Sequence, residues 1–130
     1  MGRNKSTKYI GIDENVTRLY KSKKGLKKID INEFQAWYKS KNESCDYCGL
    51  TEEQSSILFD KYPNSTRGGR RGKRLELDRI DPKITDYGED IKNLALSCYW
   101  CNSAKSNYFT SEESKKIGEV IKEIQKERLG

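Results

Sequence analysis

Four cysteines fall in two pairs of identical spacing, Cys45 and Cys48 in SCDYCG, then Cys98 and Cys101 in SCYWCN. No other feature constrains the fold as strongly. A Cys-x-x-Cys turn offers two thiolates to one ion, and two such turns complete a tetrahedral four-sulfur site, the usual home of structural zinc. The pairs lie 49 residues apart, long for a compact zinc ribbon. Closing the site therefore joins distant parts of the chain and leaves the segment between them free to carry something else. With 33% hydrophobic and 35% charged residues in 130, the chain buries only a modest core, and a metal staple suits it. Two disulfides are the competing arrangement. The N-terminal MGRNKSTKY lacks an apolar signal stretch and no apolar run approaches a membrane span, so the expected setting is cytoplasmic, with reduced thiols. A redox Cys-x-x-Cys needs one pair in a thioredoxin-like unit, which is absent. Four protein ligands close the zinc site, so its expected role is to hold the fold.

Local patterns place the remaining elements. Asp30-Ile31-Asn32-Glu33 reads as a capping box opening a helix with Phe34, Trp37 and Tyr38 on one face. Thr51 to Gln54 opens a second helix through Ile57, Leu58 and Phe59, stopped by Pro63. LELDRI (75–80) and NLALSCY (93–99) read as strands, and CNSAKSN (101–107) as a helix start. Thr110 to Glu113 caps a last helix, with Ile117, Val120, Ile121 and Ile124 expected along its packed face. The predicted fold is a small zinc-stapled α+β domain over residues 29–130, preceded by a basic arm at 1–28.

That arm holds nine basic residues against two acids, whereas the rest of the chain is close to neutral. A second basic stretch, NSTRGGRRGKR, leads directly into the first strand. Its glycines let backbone approach a duplex closely, and Arg67, Arg70, Arg71, Lys73 and Arg74 are candidate contacts to phosphates or groove edges. The expected partner is DNA, double-stranded, and no membrane.

A second constellation accompanies the cysteines. Asp78 and Arg79 end the first strand, Asn93 begins the second, and Asn102 directly follows the last cysteine, with Lys105 three residues on. If the strands pair and the following helix packs across them, Asp78 and Asn102 converge. A carboxylate and an amide oxygen are hard ligands suited to Mg2+. Lys105 is either a phosphate contact or a solvated helix residue.

The run LELDRIDP … YGEDIKNLALSCYWCNSAKSN, with CxxCG before it, resembles the ββα-metal core of the HNH nuclease superfamily over roughly residues 45–107. From FQAWY to the last helix the chain is more similar to the PacI-type restriction endonucleases, in which Arg also follows the Asp, AWY precedes the knuckle and KSN follows CN. A further cysteine-rich zinc module of that type has no counterpart here. The resemblance implies that Asp78 and Asn102 hold a catalytic divalent ion and that Asn93 fixes the loop carrying the activating group. Arg79 stands where most of the superfamily has a histidine general base. Arginine keeps its proton at any usable pH, so Arg79 is expected to clamp the scissile phosphate instead. With no histidine in the chain, the nucleophile is activated by metal-bound water alone, a lysine, a carboxylate or a tyrosine. Tyr38, which aligns with the AWY tyrosine, is the candidate, and it would need a cation beside it, a part Arg79 could play.

The expected function is a metal-dependent DNA endonuclease, sequence-specific in the restriction manner, leaving 5′-phosphate and 3′-hydroxyl ends and acting as a homodimer to cut both strands. The alternatives are a homing or nicking enzyme of the same superfamily, or a catalytically dead, zinc-dependent nucleic-acid-binding module.

Overall fold

Asp13 starts the first helix: its carboxylate accepts from the Asn15 amide at 2.8 Å, capping α1 (Glu14–Ser22). The computed structural model describes residues 11–63, 72–84, 86–88 and 90–130, so Arg67, Arg70 and Arg71 lie outside the described residues. A 3-10 turn (Lys24–Lys28) leads to α2 (Ile31–Ser40), which Asp30 caps through the Asn32 amide. The tight turn at Cys45–Cys48 follows, then α3 (Glu52–Lys61), whose capping box between Thr51 and Gln54 forms as expected. Strand β1 (Glu76–Arg79) pairs antiparallel with β2 (Leu94–Ser97), with Leu77 opposite Leu96 and Asp78 opposite Ala95. A 3-10 turn (Ile91–Asn93) introduces β2. Helix α4 (Tyr99–Lys105) leaves β2 directly, and α5 (Ser111–Leu129) closes the chain on the Thr110–Glu113 capping box. The result is an α+β arrangement in which helices surround a two-stranded sheet. No described helix is long and apolar enough to cross a membrane.

Two sequence expectations change. Residues 14–28 are not a separate arm. Val16, Leu19 and Leu26 are buried in the same core as Phe34, Tyr38, Leu58, Leu75, Leu94 and Leu96. Charge dominates the composition of that segment, yet Asp13 followed by Val16, Leu19 and Tyr20 is an N-cap with i, i+3, i+4 apolar spacing.

Helix α5 also turns differently. Its buried line is Ser114, Gly118 and Gln125, with Ile121 half-buried, whereas Val120 is 58% exposed and Ile124 45% exposed. The cause is Gly118, where a β-carbon would lie 2.3 Å from the Tyr47 carbonyl oxygen. A helix whose backbone rests on another backbone must present its smallest residues there, and the aliphatic ones rotate outward.

Candidate metal centres and catalytic constellation

The first centre is built by main-chain pairing. Cys45 N donates to Leu50 O at 2.8 Å and Gly49 N to Cys45 O at 2.9 Å, closing the first knuckle, with Gly49 in the left-handed region at φ +80°. Asp46 N donates to Leu96 O at 2.7 Å, pinning that knuckle to β2. The second pair arises where β2 becomes α4: Cys98 is the helix N-cap and receives the Cys101 amide on its sulfur at 3.4 Å. The four sulfur atoms all lie within 4.8 Å of one another, and the four residues are buried. Hydrogen bonds from the other three thiols hold Cys45 far below the ordinary thiol range. Four thiols so crowded suit one ion that takes them as thiolates, and zinc fits the donor set and the tetrahedral count.

The second constellation grows on the sheet. Side chains alternate along a strand, so Glu76 and Asp78 share a face, and α4 covers it. Asn102 and Lys105, one helical turn apart, reach down from α4. The Asn102 amide nitrogen donates to Glu76 Oε1 at 2.9 Å, which turns its own oxygen away from Glu76. Asp78, 6% exposed, accepts from the Tyr47 hydroxyl on Oδ2 at 2.6 Å, and the Lys105 ammonium lies 3.4 Å from the same oxygen. Burial pushes the Asp78 carboxyl above its ordinary value, against the Tyr47 hydroxyl and Lys105, which pull it down. Burial and the Asp78 carboxylate together put the Tyr47 phenol well above the usual range. Tyr47 therefore stays neutral and acts as a donor.

Asn93 clamps the turn after β1. Its Oδ1 accepts from Asp81 N at 2.8 Å, its Nδ2 donates to Asp81 O at 3.3 Å, and its carbonyl accepts from Ile80 N at 2.8 Å. Arg79, half-buried, lies over the Tyr87 ring at 5.5 Å, and Lys23 approaches the same ring at 5.1 Å. The loop carrying Tyr87 is held from the N-terminal side: Lys28 pairs with Asp86, and a β-carbon on Gly88 would collide with the Gly25 carbonyl.

Other candidates fall elsewhere. Tyr38 is fully buried, and its hydroxyl has no hydrogen-bond partner among the described residues. Burial pushes its phenol up to about 12, with Glu52, Glu43 and Asp13 adding to the rise and Arg18 opposing it. Lys105 is fully buried, so it is neither a solvated residue nor a phosphate contact. Arg74 donates to Asn15 Oδ1 at 2.9 Å and lies 3.9 Å from Glu52, while Lys73 lines a surface depression with Asp13, Glu14, Glu52 and Glu53. Sequence reasoning missed Tyr47 and Glu76. The period of two along β1 pointed to Glu76, and the position of Tyr47 inside the knuckle that must meet β2 was its signal.

The chain is similar to known proteins over the same region. Residues 45–108 match the HNH endonuclease family. The SPbeta prophage-derived protein YoqL of Bacillus subtilis (strain 168), whose name assigns it to the HNH endonucleases, is 29% identical over 145 residues, an alignment covering 97% of this chain. This chain spans 58% of that relative's length. The solved structure of the rare-cutting HNH restriction endonuclease PacI is similar at a TM-score of 0.62 and 28% identity, over 88% of this chain and 77% of that one.

Proposed function

We propose that this chain, a member of the HNH endonuclease family through its residues 45–108, is a metal-dependent DNA endonuclease. The observation that carries the reading is the Asp78 carboxylate, buried and gripped by Tyr47 and Lys105 on the strand face that Asn102 shares. Asp78 and Asn102 offer oxygen donors only, which fits a hard divalent ion. Such an ion, when bound there, supplies Lewis-acid charge at phosphate oxygens.

The protein's own groups divide the remaining work. Arg79 binds the scissile phosphate and offsets the charge that builds on it during in-line attack. Asn93 holds residues 80 and 81, and so fixes the turn from which Arg79 projects. A water attacks phosphorus and the bond to the 3′ oxygen breaks, leaving 5′-phosphate and 3′-hydroxyl ends. The proton from that water needs an acceptor other than histidine. Tyr38 keeps its hydroxyl inside the core, where ionisation is disfavoured. Tyr87, which has two cations against its ring, takes that proton as the phenolate in this reading. The likeness to PacI, named as a restriction endonuclease, supports restriction-type sequence specificity in this reading, and a homodimer supplies the second site that cutting both strands requires. The four-cysteine site holds structural zinc and takes no part in the cutting.

The test is incubation of the zinc-loaded protein with plasmid and phage DNA, with and without Mg2+, beside Asp78→Ala and Tyr87→Phe. Discrete Mg2+-dependent fragments, lost in Asp78→Ala and slowed in Tyr87→Phe, are the expected result. Salt-sensitive DNA binding without cutting on any substrate would replace the nuclease by a binding module in which Arg79 marks lost catalysis. Full activity of Tyr87→Phe would remove Tyr87 from the mechanism.

A further inference from the structure

Lys105 is the only buried lysine among the described residues, with no accessible surface. An ammonium so enclosed requires partners, and it has two. Its Nζ donates to the Arg79 carbonyl oxygen at 2.8 Å and lies 3.4 Å from Asp78 Oδ2. The two partners are consecutive residues of β1, one engaged through its side chain and the other through its main chain.

We propose that Lys105 is a positioning residue of the nuclease site: its ammonium fastens the Asp78 carboxylate to the main-chain turn that carries Arg79, and its charge sets how strongly that carboxylate draws a divalent ion. The inference rests on the reading of Asp78 as a cation ligand.

Two features support it. The turn after β1 is held from both sides, by Lys105 at the Arg79 carbonyl and by Asn93 at Ile80 and Asp81. The phosphate-binding arginine and the metal-binding carboxylate are thus locked together before any ligand arrives, which is what preorganised catalysis requires. In addition, the Oδ2 atom of Asp78 already carries a hydroxyl donor and a full positive charge. A fixed cation beside a carboxylate repels an incoming divalent ion, and it compensates the carboxylate while the ion is absent. Both effects weaken ion binding relative to a site without the lysine.

The expected consequence separates this role from a merely structural one. Lys105→Met keeps most of the side-chain stem and removes the charge. In the folded, zinc-loaded variant, Mn2+ binding, followed by the EPR signal of the free ion at a pH well above the carboxylate range, should tighten about tenfold. Cutting at saturating Mn2+ should nonetheless slow in kcat with KM for DNA unchanged, because the Arg79 turn loosens. Unchanged or weaker Mn2+ binding would overturn the proposal. Asp78→Asn run in parallel distinguishes the two readings: if the wild-type protein itself binds no Asp78-dependent ion, the nuclease reading fails and this one with it.

A measurement on the native protein covers the case in which Lys105→Met does not fold. The Lys105 ammonium, observed by 15N NMR, should exchange slowly and shift on Mg2+ addition, and the shift should vanish in Asp78→Asn. A Lys105 signal indifferent to Mg2+, in a protein that binds the ion through Asp78, would sink the proposal.

Discussion

Replacing Gly118 with alanine tests the packing that joins the last helix to the metal-binding knuckle. Its added β-carbon would sit 2.3 Å from the Tyr47 carbonyl oxygen, 2.7 Å from its carbonyl carbon and 3.1 Å from its Cβ. These are mostly backbone atoms, and they have little room to retreat. The knuckle is fixed by Asp46 N to Leu96 O at 2.7 Å, by Cys45 N to Leu50 O at 2.8 Å, and by the Tyr47 hydroxyl on Asp78 at 2.6 Å. Overpacking typically costs about 1 to 3 kcal/mol, and a backbone clash belongs near the upper end. Alanine in a helix interior returns about 1 kcal/mol over glycine. The net loss is about 2 kcal/mol, and at roughly 4 °C per kcal/mol for a domain of this size, Tm falls about 8 °C. Urea and thermal unfolding followed by far-UV circular dichroism, with zinc held constant, provide the measurement. Val120→Ala, on the exposed side of the same helix, is the control and should stay within about 0.5 kcal/mol. A Gly118→Ala protein more stable by about 1 kcal/mol would show helix propensity acting alone and refute the close approach. Because Tyr47 also donates to Asp78, the variant should lose more cutting activity than its folded fraction accounts for.

Other perturbations read different parts of the molecule. Cys98→Ser removes a sulfur from the four-cysteine cluster and the cap of α4; bound zinc should fall to background and the cooperative unfolding transition should disappear, and a stable fold without metal would refute the staple. Tyr38→Phe should leave cutting intact, and a slowed variant would return Tyr38 to the mechanism. It should also change the alkaline stability profile. The folded Tyr38 phenol sits at about 12, above its unfolded value near 10. Its contribution is therefore full below about pH 10 and is lost as pH rises toward 12, by up to about 2 to 3 kcal/mol. The stability of Tyr38→Phe relative to wild type should rise from about pH 10 toward pH 12 in urea titrations, and a pH-independent difference would contradict the burial of that hydroxyl.

The sequence by itself determined the parts that rest on short-range pattern. Two Cys-x-x-Cys turns can meet in one tetrahedral site whatever lies between them, and the sulfur atoms do gather. Thr51 with Gln54 and Thr110 with Glu113 form their capping boxes because that chemistry spans three residues. The positions of Asp78 in β1, Asn93 just before β2 and Asn102 in α4 were legible from the same kind of spacing. What a side chain faces, however, is set by groups distant in sequence. Lys105 reads as an exposed helical lysine, and it is buried because α4 lies across β1 and brings it over Asp78. Tyr47 reads as a spacer between cysteines until the knuckle docks on the sheet. Tyr38 reads equally as a catalyst or a core residue, and only packing assigned its hydroxyl to the interior. Residues 16–26 of the basic segment became part of the core for the same reason: charge is counted along the chain, but burial of Val16, Leu19 and Leu26 depends on the surface that α2 presents to them. Composition and spacing describe which groups are available, and tertiary structure decides which of them share a dielectric environment and therefore a chemistry.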